Sequence, residues 1–266
     1  MEKVSIGPAT LYRGDCLEVM EGLAKGAASM IWTDPPYGNR NNDGDLNASL
    51  AAKAGRQAAA IANDDAASMR RVIEGMLAHA VRILPEEASA ICLCTAGGGG
   101  PNGPLFAWVA DRMHSDGLAF FHCVIWDKVN PGLGWRYRRQ HEMVMVAHKK
   151  GGRLLWRDPK RAIGNVISLS APKTRVHPNE KPLSLVRTFL DLHALAGSVI
   201  LDPFMGSGTT GVAALQLGLG FIGIELDAGH FDVACSRIEE AMSQCDMFRA
   251  NEKTRPSQTG FDFPPQ

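Results

Sequence analysis

The stretch SVILDPFMGSGTTGVAALQLGLGFIGIEL, residues 198–226, decides the fold. SVILD is a short apolar run that reads as a strand ending at Asp202. A glycine-rich turn breaks it. TTGVAALQLG reads as the following helix, and GFIGIEL (220–226) as a second strand. A strand, a crossover helix and a strand make a βαβ unit with parallel strands.

The same alternation extends outward. C-terminal to the unit, HFDVACSRIEEAM reads as a helix, and the polar, Pro-rich 248–266 as a loose tail. N-terminal to it, Pro182 opens a helix carrying Leu183, Val186, Leu190 and His193, stopped by Gly197. Further back, ATLYRGD (9–15) reads as a strand and CLEVMEGL as a helix. ASMIWTD (28–34) is a buried strand stopped by two prolines. A helix spans 66–84, a strand 89–96 and a helix 105–117. FFHCVIWDK and EMVMVAHKK then flank an irregular piece as two strands. Strands alternating with helices imply an α/β fold, a doubly wound, mostly parallel open sheet covered on both faces. There is no internal repeat and no clear linker. One domain over 1–247 is expected, with a mobile loop at 38–65 and an irregular insert at 136–176.

Composition narrows the classes. Lys+Arg and Asp+Glu are 28 each in 266 residues, so a uniformly basic nucleic-acid coat is ruled out. No apolar run reaches the ~20 residues of a membrane span, and MEKVSIGPAT has no signal-peptide core. The six cysteines form no CxxC pair, so they read as buried thiols in a reducing cytoplasm; no metal site is expected.

Two segments carry chemistry. Asp34-Pro35-Pro36-Tyr37 ends a buried strand, where open α/β sheets bind ligands. The prolines remove two N–H donors and leave bare carbonyl acceptors. Asp34 adds a carboxylate and Tyr37 a flat ring, a set that suits an amino group on a planar ring. The second segment is Asp202-Pro203-Phe204-Met205-Gly206-Ser207-Gly208-Thr209-Thr210. Gly206 and Gly208 allow close backbone approach to a ligand. GSGTTG also satisfies G-x-G-x-x-G, with Glu225 ending the next strand, which leaves a nicotinamide-dependent oxidoreductase open. Asp202 argues against pyrophosphate there, because its charge repels phosphate and attracts a cation.

DPPY and DPFMGSGTT together resemble the amino-methylating DNA methyltransferases. The order, catalytic tetrapeptide first and cofactor turn last, is similar to their circularly permuted β group. HPNEKPLSLV (177–186), YRGDCLEVM (12–20) and WDK...PGLG...YRRQHE (126–142) resemble that group's flanking segments, so the likeness covers nearly the whole chain. It is greatest to orphan and phage-type adenine methylases. The resemblance implies a Rossmann-like methyltransferase fold and transfer of a methyl group from S-adenosylmethionine to N6 of a flipped adenine in duplex DNA, with no metal. By position, Asp34, Pro35, Pro36 and Tyr37 would hold the base. Asp202, Phe204, Gly206, Gly208 and Thr209 would embrace the methionine part of the cofactor. Glu225 would bind the ribose hydroxyls, Asp15 and Cys16 would meet the cofactor's adenine edge, and Lys181 would reach its carboxylate. The resemblance also implies a homodimer and a bacterial or phage-encoded protein acting on cytoplasmic DNA.

Members of the family that act on cytosine N4 usually carry Ser in place of Asp34. Asp therefore favours adenine and leaves cytosine open. A catalytically dead DNA-binding protein is a third reading, against which the intact motifs stand. For the duplex, the sequence offers Arg136, Arg138, Arg139, Lys149, Lys150, Arg153, Arg157, Lys160 and Arg161, opposed only by Glu142 and Asp158. That concentration suits phosphates, with Trp135, Tyr137 and Trp156 interleaved and Arg157 the expected base reader.

Overall fold

The computed structural model describes residues 1–38, 65–96, 103–115, 117–131, 137–157, 160–170 and 181–254. Arg136, the interior of the 38–65 loop, positions 171–180 of the insert and 255–266 of the tail lie outside them.

The decisive stretch folds as its pattern predicts. β9 (Val199–Asp202), α5 (Thr209–Gln216) and β10 (Gly220–Glu225) form the βαβ unit, with β9 and β10 parallel. Around it lie β1 (Glu2–Ile6), β2 (Ala9–Arg13), α1 (Cys16–Gly22), β3 (Met30–Thr33), α2 (Ala66–Ile83), β4 (Ala88–Ala96) and α3 (Leu105–Arg112). Then come β5 (Leu118–Asp127), β6 (His141–Lys149), β7 (Arg153–Leu154), β8 (Val166–Ser168) and α4 (Leu183–His193). α6 (Ala228–Thr254) closes the described chain and runs past Met247, into the stretch expected to be a loose tail. Strands β1, β7 and β8 are additions to what the sequence pattern predicts.

The sheet order is β1-β2-β10-β9-β3-β4-β6-β5-β8, with β7 pairing β4. Strands β2, β10, β9, β3 and β4 are mutually parallel, while β6 runs antiparallel to both β4 and β5. Strand alternation splits the core into two faces. Ile31, Ile91, Leu93 and Leu201 pack with α1, α2 and α3 through Met20, Ile73, Met76 and Val109. Met30, Trp32, Cys92 and Ile200 face α4, α5 and α6 through Phe189, Val212, Phe231 and Ile238. The cysteines are free thiols, and Cys92 and Cys94 share the second face as their spacing predicts. Among the described residues, no helix is long and apolar enough to cross a membrane.

The topology places four acidic residues at four successive strand tips. Along β2, β10, β9 and β3 these are Asp15, Glu225, Asp202 and Asp34. Three inter-strand gaps of ~4.8 Å make the row roughly 14 Å long.

Candidate active site

At the β2 end, Asp15 caps α1, accepting the Leu17 N–H at 2.8 Å and the Glu18 N–H at 3.4 Å. This is helix-capping work for a carboxylate. Gly14 N–H donates to the Glu225 carbonyl at 2.9 Å, which fixes this tip against the next. Cys16 is buried in the first turn, and burial, with the Asp15 charge beside it, pushes its thiol up to about 12. It is an uncharged wall, not a nucleophile.

Glu225 accepts two backbone N–H groups. Gly206 donates to Oε2 at 2.9 Å and Asp227 to Oε1 at 2.8 Å. Burial nevertheless pushes its carboxyl above the usual range. Glu225 thereby ties the tip of β10 to the glycine turn after β9. In that turn Gly206 and Gly208 have φ of 51° and 81°. A Cβ on Gly208 would lie 3.0 Å from the Ala234 Cβ, whereas one on Gly206 would meet open space. Gly208 is thus needed for both conformation and packing, and Gly206 for its left-handed backbone. The turn is held from behind by Arg237 of α6, whose Nη1 donates to the Ser207 carbonyl and hydroxyl at 2.7 Å each and to the Thr209 hydroxyl at 3.3 Å.

Asp202 is buried. The Thr210 hydroxyl donates to Oδ2 at 2.5 Å and the Phe204 N–H to Oδ1 at 3.1 Å. Among the described residues no cation pairs with it. Burial raises its carboxyl to about 7, with the Asp34 charge adding to the rise. A buried carboxylate held only by neutral donors is a ready acceptor for a ligand cation.

Asp34 stands differently. Tyr37 Oη donates to Oδ1 at 2.7 Å and Lys181 Nζ to Oδ2 at 2.5 Å. Lys181 is only 8% exposed, lies 5.7 Å from the Tyr37 ring centroid and also meets Glu142 Oε2 at 3.2 Å. Burial pushes Asp34 up, and Lys181 pulls it back without cancelling the rise. Burial alone would discharge Lys181; Asp34 and Glu142 more than offset it and keep the ammonium protonated. The sequence gives Tyr37 only a ring for stacking, and its hydroxyl has this second role. The resemblance places Lys181 at the cofactor carboxylate; its partners in this structure are Asp34 and Glu142. Glu142 and Lys128, whose Nζ lies 2.5 Å from Glu142 Oε1, complete the Asp34 side; both fall in the WDK...YRRQHE segment of the resemblance, which gives neither a role.

The eight basic positions among the described residues do not form one face. Arg138 and Arg139 precede β6 at the edge that holds Asp34, and Arg138 donates to the Pro131 carbonyl at 3.2 Å. Strand β6 then carries the chain to the opposite edge. There Lys149 is 7% exposed and paired with Glu86 at 2.9 Å. Lys150 and Arg153 follow beside the start of β4. Arg157 and Arg161 pair with Asp191 in the last turn of α4, Arg161 at 2.8 Å. The single basic surface and the base-reading role of Arg157 both assume one face; the reversal of β6 separates them. Lys160 lies in the same return segment. Among the described residues no cluster of three His, Cys, Asp or Glu side chains is arranged to hold a metal.

Fold and strand-tip site together define an α/β methyltransferase architecture. A family model described as DNA methylase matches residues 28–236, and the chain belongs to this N6/N4 DNA methylase family. It is similar to the type II methyltransferase M2.MboI of Moraxella bovis, 26% identical over 253 residues, covering 86% of this chain and 87% of that one. It is also similar to the putative methylase YubD of Escherichia coli, 27% identical over 214 residues, with 80% and 83% covered. Among solved structures, an M1.HpyAVI–SAM complex superposes with a TM-score of 0.64 at 24% identity, covering 86% and 98% of the two chains. The cytosine-N4-specific PvuII DNA methyltransferase gives 0.67 at 16%, covering 93% and 94%.

Proposed function

We propose that this chain methylates N6 of an adenine flipped out of duplex DNA, using S-adenosylmethionine. The observation that carries the reading is the pairing of two unlike carboxylates on adjacent strands, Asp34 on β3 and Asp202 on β9. The residues fit the cofactor. Asp202 offers a buried anion with no cation of its own among the described residues, Gly206 faces open space, and Glu225 closes the neighbouring tip. In this reading Asp202, Phe204, Gly206, Gly208 and Thr209 hold its methionine part, Glu225 its ribose, and Asp15 and Cys16 border its adenine. When bound, it supplies an electrophilic methyl group on a sulfonium.

The protein's part is positioning and polarisation. Asp34 and the Pro35 carbonyl accept the two hydrogens of the amino group, which raises electron density on nitrogen. Pro36 fixes the turn, and Tyr37 offers its ring to the base while its hydroxyl steadies Asp34. The duplex lies over the Asp34 edge, with Arg138 and Arg139 on phosphates, in a circularly permuted arrangement of one domain, 1–247. The working form is a homodimer in the cytoplasm, with the DNA. Cytosine N4 is the second reading, favoured by the structural likeness to an enzyme of that specificity.

The test is direct. Unmethylated genomic DNA is incubated with the protein and isotope-labelled S-adenosylmethionine, then digested to nucleosides and separated. Label in N6-methyldeoxyadenosine is expected. Label in N4-methyldeoxycytidine overturns the choice of base, and no label in either overturns the activity.

A further inference from the structure

Four charged side chains alternate in sign across the Asp34 side of the site. Lys128 Nζ is 2.5 Å from Glu142 Oε1, Glu142 Oε2 is 3.2 Å from Lys181 Nζ, and Lys181 Nζ is 2.5 Å from Asp34 Oδ2. They come from four separate places: the end of β5, the start of β6, the lead-in to α4 and the tip of β3. Side-chain exposures of 24%, 18%, 8% and 22% put the whole series partly or wholly out of water.

Lys181 and Asp34 alone would make a neutral, complete pair. Glu142 adds a second anion on the same ammonium and then needs Lys128 to balance it. Burying two further charges is costly, while backbone pairing already joins β5 and β6 from Leu118–Lys149 to Asp127–His141. The Glu142 interaction is also unlike that of Asp34. Glu142 Oε2 is buried and 3.2 Å from the ammonium, whereas Asp34 Oδ2 accepts its hydrogen bond at 2.5 Å, and charge outweighs hydrogen bonding in what Lys181 does to Glu142. Glu142 therefore acts on Lys181 mainly through its charge.

We propose that Glu142 is a positioning residue that divides the charge of Lys181 between two carboxylates, so that Asp34 keeps enough electron density to accept a hydrogen from the target amino group. The proposal rests on the reading of Asp34 as the base-side acceptor. Asp34 facing Lys181 alone would be more completely neutralised and a poorer acceptor. The groups that face Asp34 are Lys181, Glu142 on β6, Tyr37 on its own turn, Cys94 on β4 and Asp202 on β9, with Lys128 behind Glu142. The signs follow from the charges. The Glu142 charge raises the Asp34 carboxyl and the Lys181 charge lowers it.

The experiment measures kcat against pH for methylation of unmethylated genomic DNA at saturating S-adenosylmethionine and DNA. Saturation confines the profile to groups in the assembled complex. Glu142→Gln should lower kcat roughly tenfold on the alkaline plateau, less than a full acid–base contribution because Asp34 itself remains, and move the acid limb to lower pH by about one unit. The cofactor KM should stay within about twofold. Lys181→Met should move the limb the opposite way, and Glu142→Asp, which keeps the charge, should restore the wild-type limb. A Glu142→Gln limb that stays in place, or shifts the same way as that of Lys181→Met, overturns the proposal. If Glu142→Gln does not fold by thermal melting, Lys128→Met takes its place. Unbalancing Glu142 should strengthen its hold on Lys181 and raise the limb; an unmoved limb there is equally fatal. Full activity in Asp34→Asn would overturn the underlying reading instead, and is a separate result.

Discussion

Asp34 and Asp202 end neighbouring parallel strands, each is followed by proline, and the two are held in opposite ways. Asp34 receives a phenol and an ammonium, and a further carboxylate competes for that ammonium. Asp202 receives a hydroxyl and one backbone N–H, and its carboxyl rises to about 7. Identical side chains at equivalent strand tips thus become two different devices. The first has its counter-ion built in and, in the proposed role, would polarise what is brought to it. The second has no counter-ion among the described residues and would gain one from a cationic ligand. Environment, not residue type, assigns the roles.

The largest expected effect tests the first half of that contrast. Asp34→Ala should lower kcat on the order of a hundredfold or more, by analogy with removing one preorganised group at an oxyanion site. Cofactor affinity, read by calorimetry, should be nearly unchanged. Near-wild-type turnover would remove Asp34 from the chemistry. Asp202→Asn is the mirror case. Losing a charged acceptor is worth ~1.5–3 kcal/mol, roughly ten- to a hundredfold in cofactor Kd. A variant that loses kcat and keeps its cofactor Kd would mean the two tips have been assigned the wrong way round.

The pH dependence sharpens the same point. Because the Asp202 carboxyl lies at about 7, cofactor affinity should fall as pH drops through 7, approaching tenfold per unit well below it. Stability runs the other way. The fold favours the protonated form, so this contribution is fully present below 3.8 and is lost as pH rises through about 7. In Asp202→Asn both dependences should flatten, read by calorimetry and by thermal melting across pH 5–8. An unchanged slope would transfer the effect to Glu225, which burial also raises.

A smaller effect separates the two edges of the sheet. Neutralising Arg138 and Arg139 should weaken DNA binding and flatten the log affinity against log salt slope by ~0.9 for each phosphate left without its cation. Neutralising Lys150 and Arg153, at the other edge, should leave the slope unchanged. The reverse outcome in a salt titration would move the duplex to the opposite edge of the sheet.

What the sequence showed and what it hid have separable causes. The strands carrying Asp34, Asp202 and Glu225 are legible because each is an apolar run stopped by a turn residue. β1, with its first two residues exposed, and β7 and β8, of two and three residues, carry too little pattern to stand out. The role of Glu142 is hidden for another reason. It sits in a charged run that looks solvated, and only the reversal from β5 into β6 brings it back to the β3 tip. The same reversal carries Lys149 away. A count of charges along the chain sees one basic patch, whereas antiparallel pairing distributes it over two edges.

Tyr37 gives the finest distinction. From sequence its ring stacks on the base, and then Tyr37→Phe should be mild, since Phe keeps the ring face. The structure adds a 2.7 Å bond from Oη to Asp34 Oδ1. Removing a donor to a charged acceptor costs ~1.5–3 kcal/mol when the site cannot relax, but Lys181 remains on the other oxygen and shares that loss. Tyr37→Phe should therefore slow turnover several-fold rather than a hundredfold, with DNA affinity preserved. Tyr37→Ala loses the bond and also ~1–3 kcal/mol of base stacking, so it should weaken both turnover and binding. The two variants differ only by the ring, so the ratio of their DNA affinities measures stacking alone. A ratio near one, with both variants equally slow, would leave the hydroxyl as the whole contribution of Tyr37 and make it an accessory of Asp34 rather than a platform for the base.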